Sequence, residues 1–316
     1  MKRSPVQMHA WLCEQAADTD LAVSRVWLRG KGIDRKMTAR QVRQRRWSVA
    51  GRQTIHLRDA PLTDLAQRWR AVWETGEGVA LVDGVSALQA AGLTGWRDDV
   101  VHVSLLHRHD YLSAEGVKVH KVARRVDDEQ TSSGLPRTRP AVAAIRAAHW
   151  AVTDRSAATI LAMAVQQRIV TGAQLVEAQR VVRGRTRRAL IKALVGDIAD
   201  GAHSLGELDF TAQCRARGIP APTRQVLRTL PNGHAYLDGY YEANGVVVEI
   251  DGAGHLWGLK TTEDYLRANE LVLGEDRVLR INVVGLRVEA DAFFDQLARG
   301  LALPPLRPQA ATPFAD

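Results

Sequence analysis

Apolar residues recur at helical spacing from the start of the chain, and the pattern predicts short helices over about 6–17, 21–30 and Thr38–Arg46. The Gly30–Lys31–Gly32 turn separates the second from the third. In the third helix Met37, Val42 and Trp47 are set to face inward, which leaves Arg40, Gln41, Gln44 and Arg45 to project outward. WSVAGRQTIHL then forms two short β-like runs around Ala50–Gly51, the pattern of a hairpin. Three helices and a basic hairpin predict a winged helix-turn-helix over residues 1–58.

Residues 59–200 read as a mixed α/β middle region. The amphipathic helix LTDLAQRWRAVWETG leads into an apolar stretch, VALVDGVSALQAAGL, and then two strand-like runs, VVHVSLL and VKVHKVA. From about 140 to 200 the spacing is helical. Residues 201–303 predict a helix at 204–217, strands at QVLRTL, AYLDGYY and VVVEID, a helix at about 262–274, a strand at VLRINVV and a helix at about 289–302. The Pro-rich residues 304–316 read as a flexible tail. The fold class expected is therefore α+β and multidomain, with no internal repeat and no apolar run of about 18 residues to span a membrane.

Charge changes the picture at the N-terminus. Residues 24–58 carry eleven Lys or Arg and one acid, Asp34, so this segment alone is +10 in a chain of net charge +8. A solvated face is the ordinary reading of a basic run, but this one is dense, and its arginine forks suit phosphates and guanine edges. Arg35, Lys36, Arg40, Arg43, Arg45, Arg46 and Arg52 are the expected contacts to double-stranded DNA. A second stripe, Arg180 to Lys192, reads equally as a solvated helix face or a DNA contact. His107–Arg108–His109–Asp110 fits a polar loop better than a metal site. Cys13 and Cys214 form neither a disulfide framework nor a zinc motif, and MKRSPVQMHAWLCEQ has no apolar secretory core, so a cytoplasmic location is expected. Glycine-rich phosphate loops, dinucleotide fingerprints and GxSxG elbows are missing. A carboxylate pair for glycoside hydrolysis is disfavoured because seven of the eight tryptophans precede residue 151.

The chemistry concentrates in VVVEID. Its composition is that of a buried strand, and alternation puts Val247, Glu249 and Asp251 on one face. With Asn244–Gly245 as a two-residue type I′ turn, Ala243 would pair with Val246, Tyr240 with Glu249 and Asp238 with Asp251. Asp238, Glu249 and Asp251 would then converge about 5–8 Å apart. Three acids together call for a cation, and hard oxygen ligands favour magnesium or manganese. The alternatives are a wet edge strand or a register slip that separates the three. Glu207 falls at the third helical position after Ser204, where capping alone would explain it. His255, four residues past Asp251, is placed to act as proton carrier or ligand, or is an ordinary loop histidine. Asp264 and Arg267, one turn apart, read as a surface ion pair.

The run SLGELDF, IPAPTRQ, YLDGYY, VVVEIDGAGH and DYLRANEL resembles the PD-(D/E)XK nuclease superfamily over about residues 203–301. More narrowly, it is similar to the domain related to very-short-patch-repair endonucleases. The resemblance implies a restriction-endonuclease-like α/β fold in which Glu207, Asp238, Glu249 and Asp251 form an acidic metal site. It makes His255 the histidine after the third strand, and Asp264 with Arg267 the helix pair. The superfamily has Lys two residues after the Glu, where this chain has Asp251. The N-terminal residues, together with LVDGVSALQAAGL, resemble the winged-helix antitoxins of the AbiE type, from abortive-infection toxin–antitoxin systems. That family has Gly before the Arg46–Trp47 pair, where this chain has Arg45. This second resemblance implies DNA binding and a partner toxin. The combined expectation is a magnesium- or manganese-dependent DNA endonuclease with a winged-helix reader, in defence against foreign DNA. The rival is a DNA-binding regulator or antitoxin with a silent nuclease-like domain. No oligomer interface is legible.

Overall fold

A computed structural model describes residues 5–199, 205–223, 226–230, 233–251 and 276–303. The described residues form a mixed α/β chain with twelve α-helices and small sheets, in two compact units. One unit is Met1–Trp150 with Ala178–Gly184, and the other is Ala151–Glu177 with Arg185–Asp316. No helix among the described residues is long and apolar enough to cross a membrane.

The first unit begins α1 (Pro5–Gln15), β1 (Ala22–Ser24), α2 (Arg25–Gly30), α3 (Arg35–Arg43), β2 (Ser48–Val49) and β3 (Thr54–His56). The span 21–30, expected as one helix, is a strand followed by a helix. Ala22–Ser24 pair antiparallel with Thr54–His56, so tertiary pairing overrides local helical spacing. Ser24 then starts α2, its hydroxyl accepting from Trp27 N at 3.0 Å. Asp34 starts α3, accepting from Met37 N at 2.7 Å, three residues before the expected boundary. Strand order is β1–β3–β2, and Leu12, Val23, Leu28, Ile33, Trp47 and Ile55 fill the core beneath.

The face that α3 buries differs from the expected one. Thr38 and Gln41 are buried, whereas Met37 is 41% exposed. Val42 packs on the core and Trp47 is buried, as expected, while the buried Thr38 hydroxyl is satisfied by Asp34 O at 2.9 Å. Next come α4 (Asp64–Gly76), β4 (Leu81–Val82), α5 (Gly84–Ala90), β5 (Val101–Leu106), β6 (Val117–Val122) and α6 (Pro140–Trp150). The sheet β4–β5–β6 has an antiparallel and a parallel pairing, and α4 packs on β1, β3 and β5.

The remaining helices are α7 (Asp154–Gln166), α8 (Gly172–Val181), α9 (Arg188–Ala199) and α10 (Leu205–Ala216). They are followed by β7 (Val226–Leu230), β8 (Gly233–Leu237), β9 (Gly239–Tyr241), β10 (Val246–Asp251), β11 (Arg277–Asn282), α11 (Val283–Val288) and α12 (Ala290–Ala302). β10 is central, parallel to β11 and antiparallel to β9. Val246, Val248 and Ile250 pack one face of it against Phe210 of α10 and Phe293, Phe294 and Leu297 of α12. The stretch VLRINVV stops as a strand at Asn282, whose Oδ1 accepts from Gly285 N at 2.7 Å and opens α11.

The β9–β10 connection corrects the expected register. Val246 pairs with Tyr241, Val247 with Tyr240 and Val248 with Gly239. Asn244–Gly245 is not a two-residue turn. Glu242–Asn244 form a 3-10 turn closed by Gly245 at φ 58°, and the Asn244 amide donates to Leu301 O at 2.7 Å. The longer loop absorbs two residues. A slip of two preserves the faces, so Asp238 moves from opposite Asp251 to opposite Glu249.

Candidate nucleic-acid interface and acidic sheet

On α3, Arg35, Lys36, Arg40 and Arg43 are all exposed, and Arg45 and Arg46 are exposed just beyond it. Among the described residues no ion pair holds any of these six cations. Lys36, Arg40 and Arg43 fall on one side of the helix by their spacing. The helix ends as Arg45 turns left-handed at φ 51° and Arg46 N bonds back to Gln41 O at 3.1 Å. Glycine enters that conformation without strain, whereas an arginine there costs about 1 kcal/mol. The position is the one where the antitoxin family has Gly.

The loop between β2 and β3 is held from within. Glu74 of α4, 6% exposed, accepts from Arg52 N at 2.9 Å, Gln53 N at 2.8 Å and the Thr54 hydroxyl at 2.7 Å. Arg70 Nε donates to Ala50 O at 2.6 Å, and Arg25 Nε to Arg52 O at 2.8 Å. A Cβ on Gly51 would lie 2.3 Å from the Glu74 carboxylate, so only glycine fits the clamp. Backbone is fixed inward and the Arg52 side chain is left outside.

In the second unit, Glu249 is 4% exposed on β10. Asp238, between β8 and β9, accepts from Ile250 N at 2.7 Å, which ties it to β10 beside Glu249. Arg280 stands opposite Glu249 across the parallel pair, and Asn282 opposite Asp251. Asp238 is therefore tied to the residue after Glu249, its carboxylate accepting a backbone N–H of the strand. The side chains of Glu207 and Asp251, together with Ser204, His255, Asp264 and Arg267, lie outside the described residues. Among the described residues no group of three or more His, Cys, Asp or Glu forms a metal-holding cluster. The hard oxygens of Asp238 and Glu249 suit magnesium or manganese, and the nearest thiol in this core, Cys214, packs on the opposite face against Tyr241.

The other sequence candidates disperse. His107–Asp110 form an exposed turn whose His107 and His109 carbonyls accept from Lys121. The stripe Arg180–Lys192 is not one helix: α8 ends at Val181, α9 begins at Arg188, and Arg187 pairs with Asp154 at 2.6 Å.

The middle region, from which the sequence suggested no chemistry, holds two polar constellations. Arg146 donates to Asp83 at 2.8 Å and to both Glu129 oxygens at 3.1 and 2.7 Å. Arg125 donates to Glu129 at 2.9 Å and to Ser104 Oγ at 2.8 Å, and Ser104 donates to Asp83 at 2.5 Å. Asp83 also caps α5 through Gly84 N at 2.7 Å, the legible signal being the Asp–Gly that ends one apolar run and opens another. Nearby, His102 bonds to His120 at 2.9 Å and to Asp98 at 3.1 Å, and His120 stacks on Trp150 at 3.7 Å. Burial, with His102 and Lys118 beside it, pushes His120 down to about 3. Burial also lowers His102, partly offset by Asp98.

No protein-family model matches this chain, and no curated protein matches it.

Proposed function

We propose that the chain is a metal-dependent DNA endonuclease whose N-terminal residues read duplex DNA. The observation that carries the reading is a carboxylate buried at 4% exposure on a central valine-rich strand, Glu249, with Asp238 tied to the same strand beside it. Two acids so placed are costly without a cation. The order α1–β1–α2–α3–β2–β3, with its antiparallel strands, is that of a winged helix-turn-helix, and supports α3 as the groove element. Arg35, Lys36, Arg40, Arg43, Arg45, Arg46 and Arg52 would bind phosphates and position the duplex. Asp238 and Glu249 would hold magnesium or manganese, with Asp251 following on the same face of the strand. A metal bound there lowers the pKa of a water and orients a phosphate. Glu207 as a metal ligand enters through the nuclease resemblance, His255 through its place after the strand and that resemblance, a partner toxin through the antitoxin resemblance, and a cytoplasmic setting through the two unpaired cysteines.

A second reading, a DNA-binding regulator with a silent acidic domain, is favoured by Arg280, which stands across from Glu249 where a metal would otherwise balance charge. Incubation of supercoiled plasmid with the purified chain and magnesium or manganese decides between them. Nicking abolished by EDTA and by Asp238→Ala supports the nuclease. Retarded but uncut DNA in both metals supports the regulator.

A further inference from the structure

Between α1 and α3 lies a groove of about 390 Å³, within the size range of small-molecule sites. Met8, Leu12, Ile33, Met37 and Trp47 supply its apolar lining. Its ionisable lining residues are His9, Arg40 and Arg46, and no acid lines it. His9 is held neutral by burial and by Arg46 nearby, and its Nδ1 accepts from Trp47 Nε1 at 3.0 Å. The groove is therefore apolar within and cationic through its two arginines.

Gln41 supplies an independent sign of a ligand. It lines the same groove, is 7% exposed, and its buried Oε1 has no hydrogen-bond partner. A buried amide left unsatisfied is destabilising, and such groups in folded proteins mark a function or a missing partner.

We propose that this groove binds a small aromatic acid that also carries a hydroxyl: the ring against Trp47 and the methionines, the carboxylate on Arg40 and Arg46, and the hydroxyl on Gln41. Sulfur–aromatic contacts from Met8 and Met37 favour a flat ring over an aliphatic chain. Arg40 belongs both to this groove and to the outer face of α3, so an occupied groove competes for a cation otherwise turned to DNA. That consequence alone rests on the DNA-binding reading; the site itself does not.

The test is calorimetric titration of the full chain, free of DNA, with 6-hydroxy-2-naphthoate. One-to-one binding with Kd below about 1 mM is expected. Arg46→Gln and Gln41→Met are each expected to weaken it by about tenfold or more, as is replacing the probe with 2-naphthol or 2-naphthoate. Gln41→Met should fold with an unlowered melting temperature, since the amide it removes has an orphaned oxygen. If that variant fails to fold, the arginine variant and the two analogues carry the comparison. The proposal is overturned by an absence of saturable heat up to about 1 mM, or by equal affinity for probe and analogues. It is also overturned if probe uptake tracks dissociation of a dimer in sedimentation, which gives the groove to a second copy. Failure on any of these counts leaves the plasmid and gel-shift experiments untouched.

Discussion

Two buried clusters, one in each unit, hold their carboxylates in different company. In the first, Asp83 at 0% exposure and Glu129 at 3% are matched by two arginines, Arg125 and Arg146, with Ser104 completing the contacts. In the second, Glu249 has Asp238 tied to its strand beside it and Arg280 at the paired position on β11. A balanced set of acids and bases satisfies itself and ties four segments of one core together. A set rich in acid is suited to an external cation. Both clusters are buried, so burial alone does not separate a structural network from a ligand site.

The sharpest way to break this comparison is Arg146→Met. It leaves two buried carboxylates short of a cation, and a loss of about 3–5 kcal/mol is expected in urea unfolding. A loss under about 1 kcal/mol would mean that Asp83 and Glu129 do not depend on their arginine, removing the contrast with Glu249. The next largest effect is on the acidic sheet. Magnesium or manganese at a hundred times its Kd should stabilise the native chain by about 2.7 kcal/mol, and Glu249→Gln should abolish that gain in melts with and without EDTA. Should Arg280→Gln, without metal, instead cost as much as Arg146→Met, the sheet is a second closed ion network.

The histidine pair sharpens the first unit's side of the contrast, because it is a buried polar group satisfied in its neutral form. His120 has a folded pKa of about 3 against an ordinary value of 6.5. Between these values the unfolded chain binds the proton and the folded chain does not. Stability from this source is full above about pH 6.5 and falls on acidification by about 1.4 kcal/mol per pH unit. Comparing urea midpoints at pH 7 and pH 5 for the native chain and His120→Gln checks this; the variant should show the shallower dependence. The smallest effect concerns Arg45. Relief of its left-handed conformation in Arg45→Gly should stabilise the chain by about 0.5–1 kcal/mol. The same change should reduce the salt dependence of DNA binding by about one phosphate contact, read from gel shifts at several salt concentrations. An arginine that stabilises the fold at this position would remove strain as a sign of function.

Much of the fold was legible from periodicity. The strands VVHVSLL, VKVHKVA and VVVEID fall where alternation and apolar runs place them, and the α4 and α12 helices where helical spacing does. Three features escaped for physical reasons. Ala22–Ser24 have a helical neighbourhood but pair with a strand thirty residues onward, information that no local window contains. The start of α3 depended on Asp34, whose capping bond to Met37 N begins the helix ahead of Thr38. The β9–β10 register depended on Asn244 spending its amide on Leu301 rather than on its own turn. A slip of two residues exchanges partners without exchanging faces, so Asp238 moved along β10 from Asp251 to Glu249. The networks around Arg146 and His120 were invisible for another reason. Their members are spread from Asp83 to Trp150, and each alone looks like an ordinary surface residue.

The Glu74 clamp has a consequence for association. A loop that is ordered only on docking surrenders conformational freedom at that moment, and the loss weakens affinity. Here the tip carrying Arg52 is already immobilised by three bonds to a buried carboxylate, so that freedom is given up when the chain folds. If the chain docks on DNA as proposed, the backbone under Arg52 has that much less entropy left to lose.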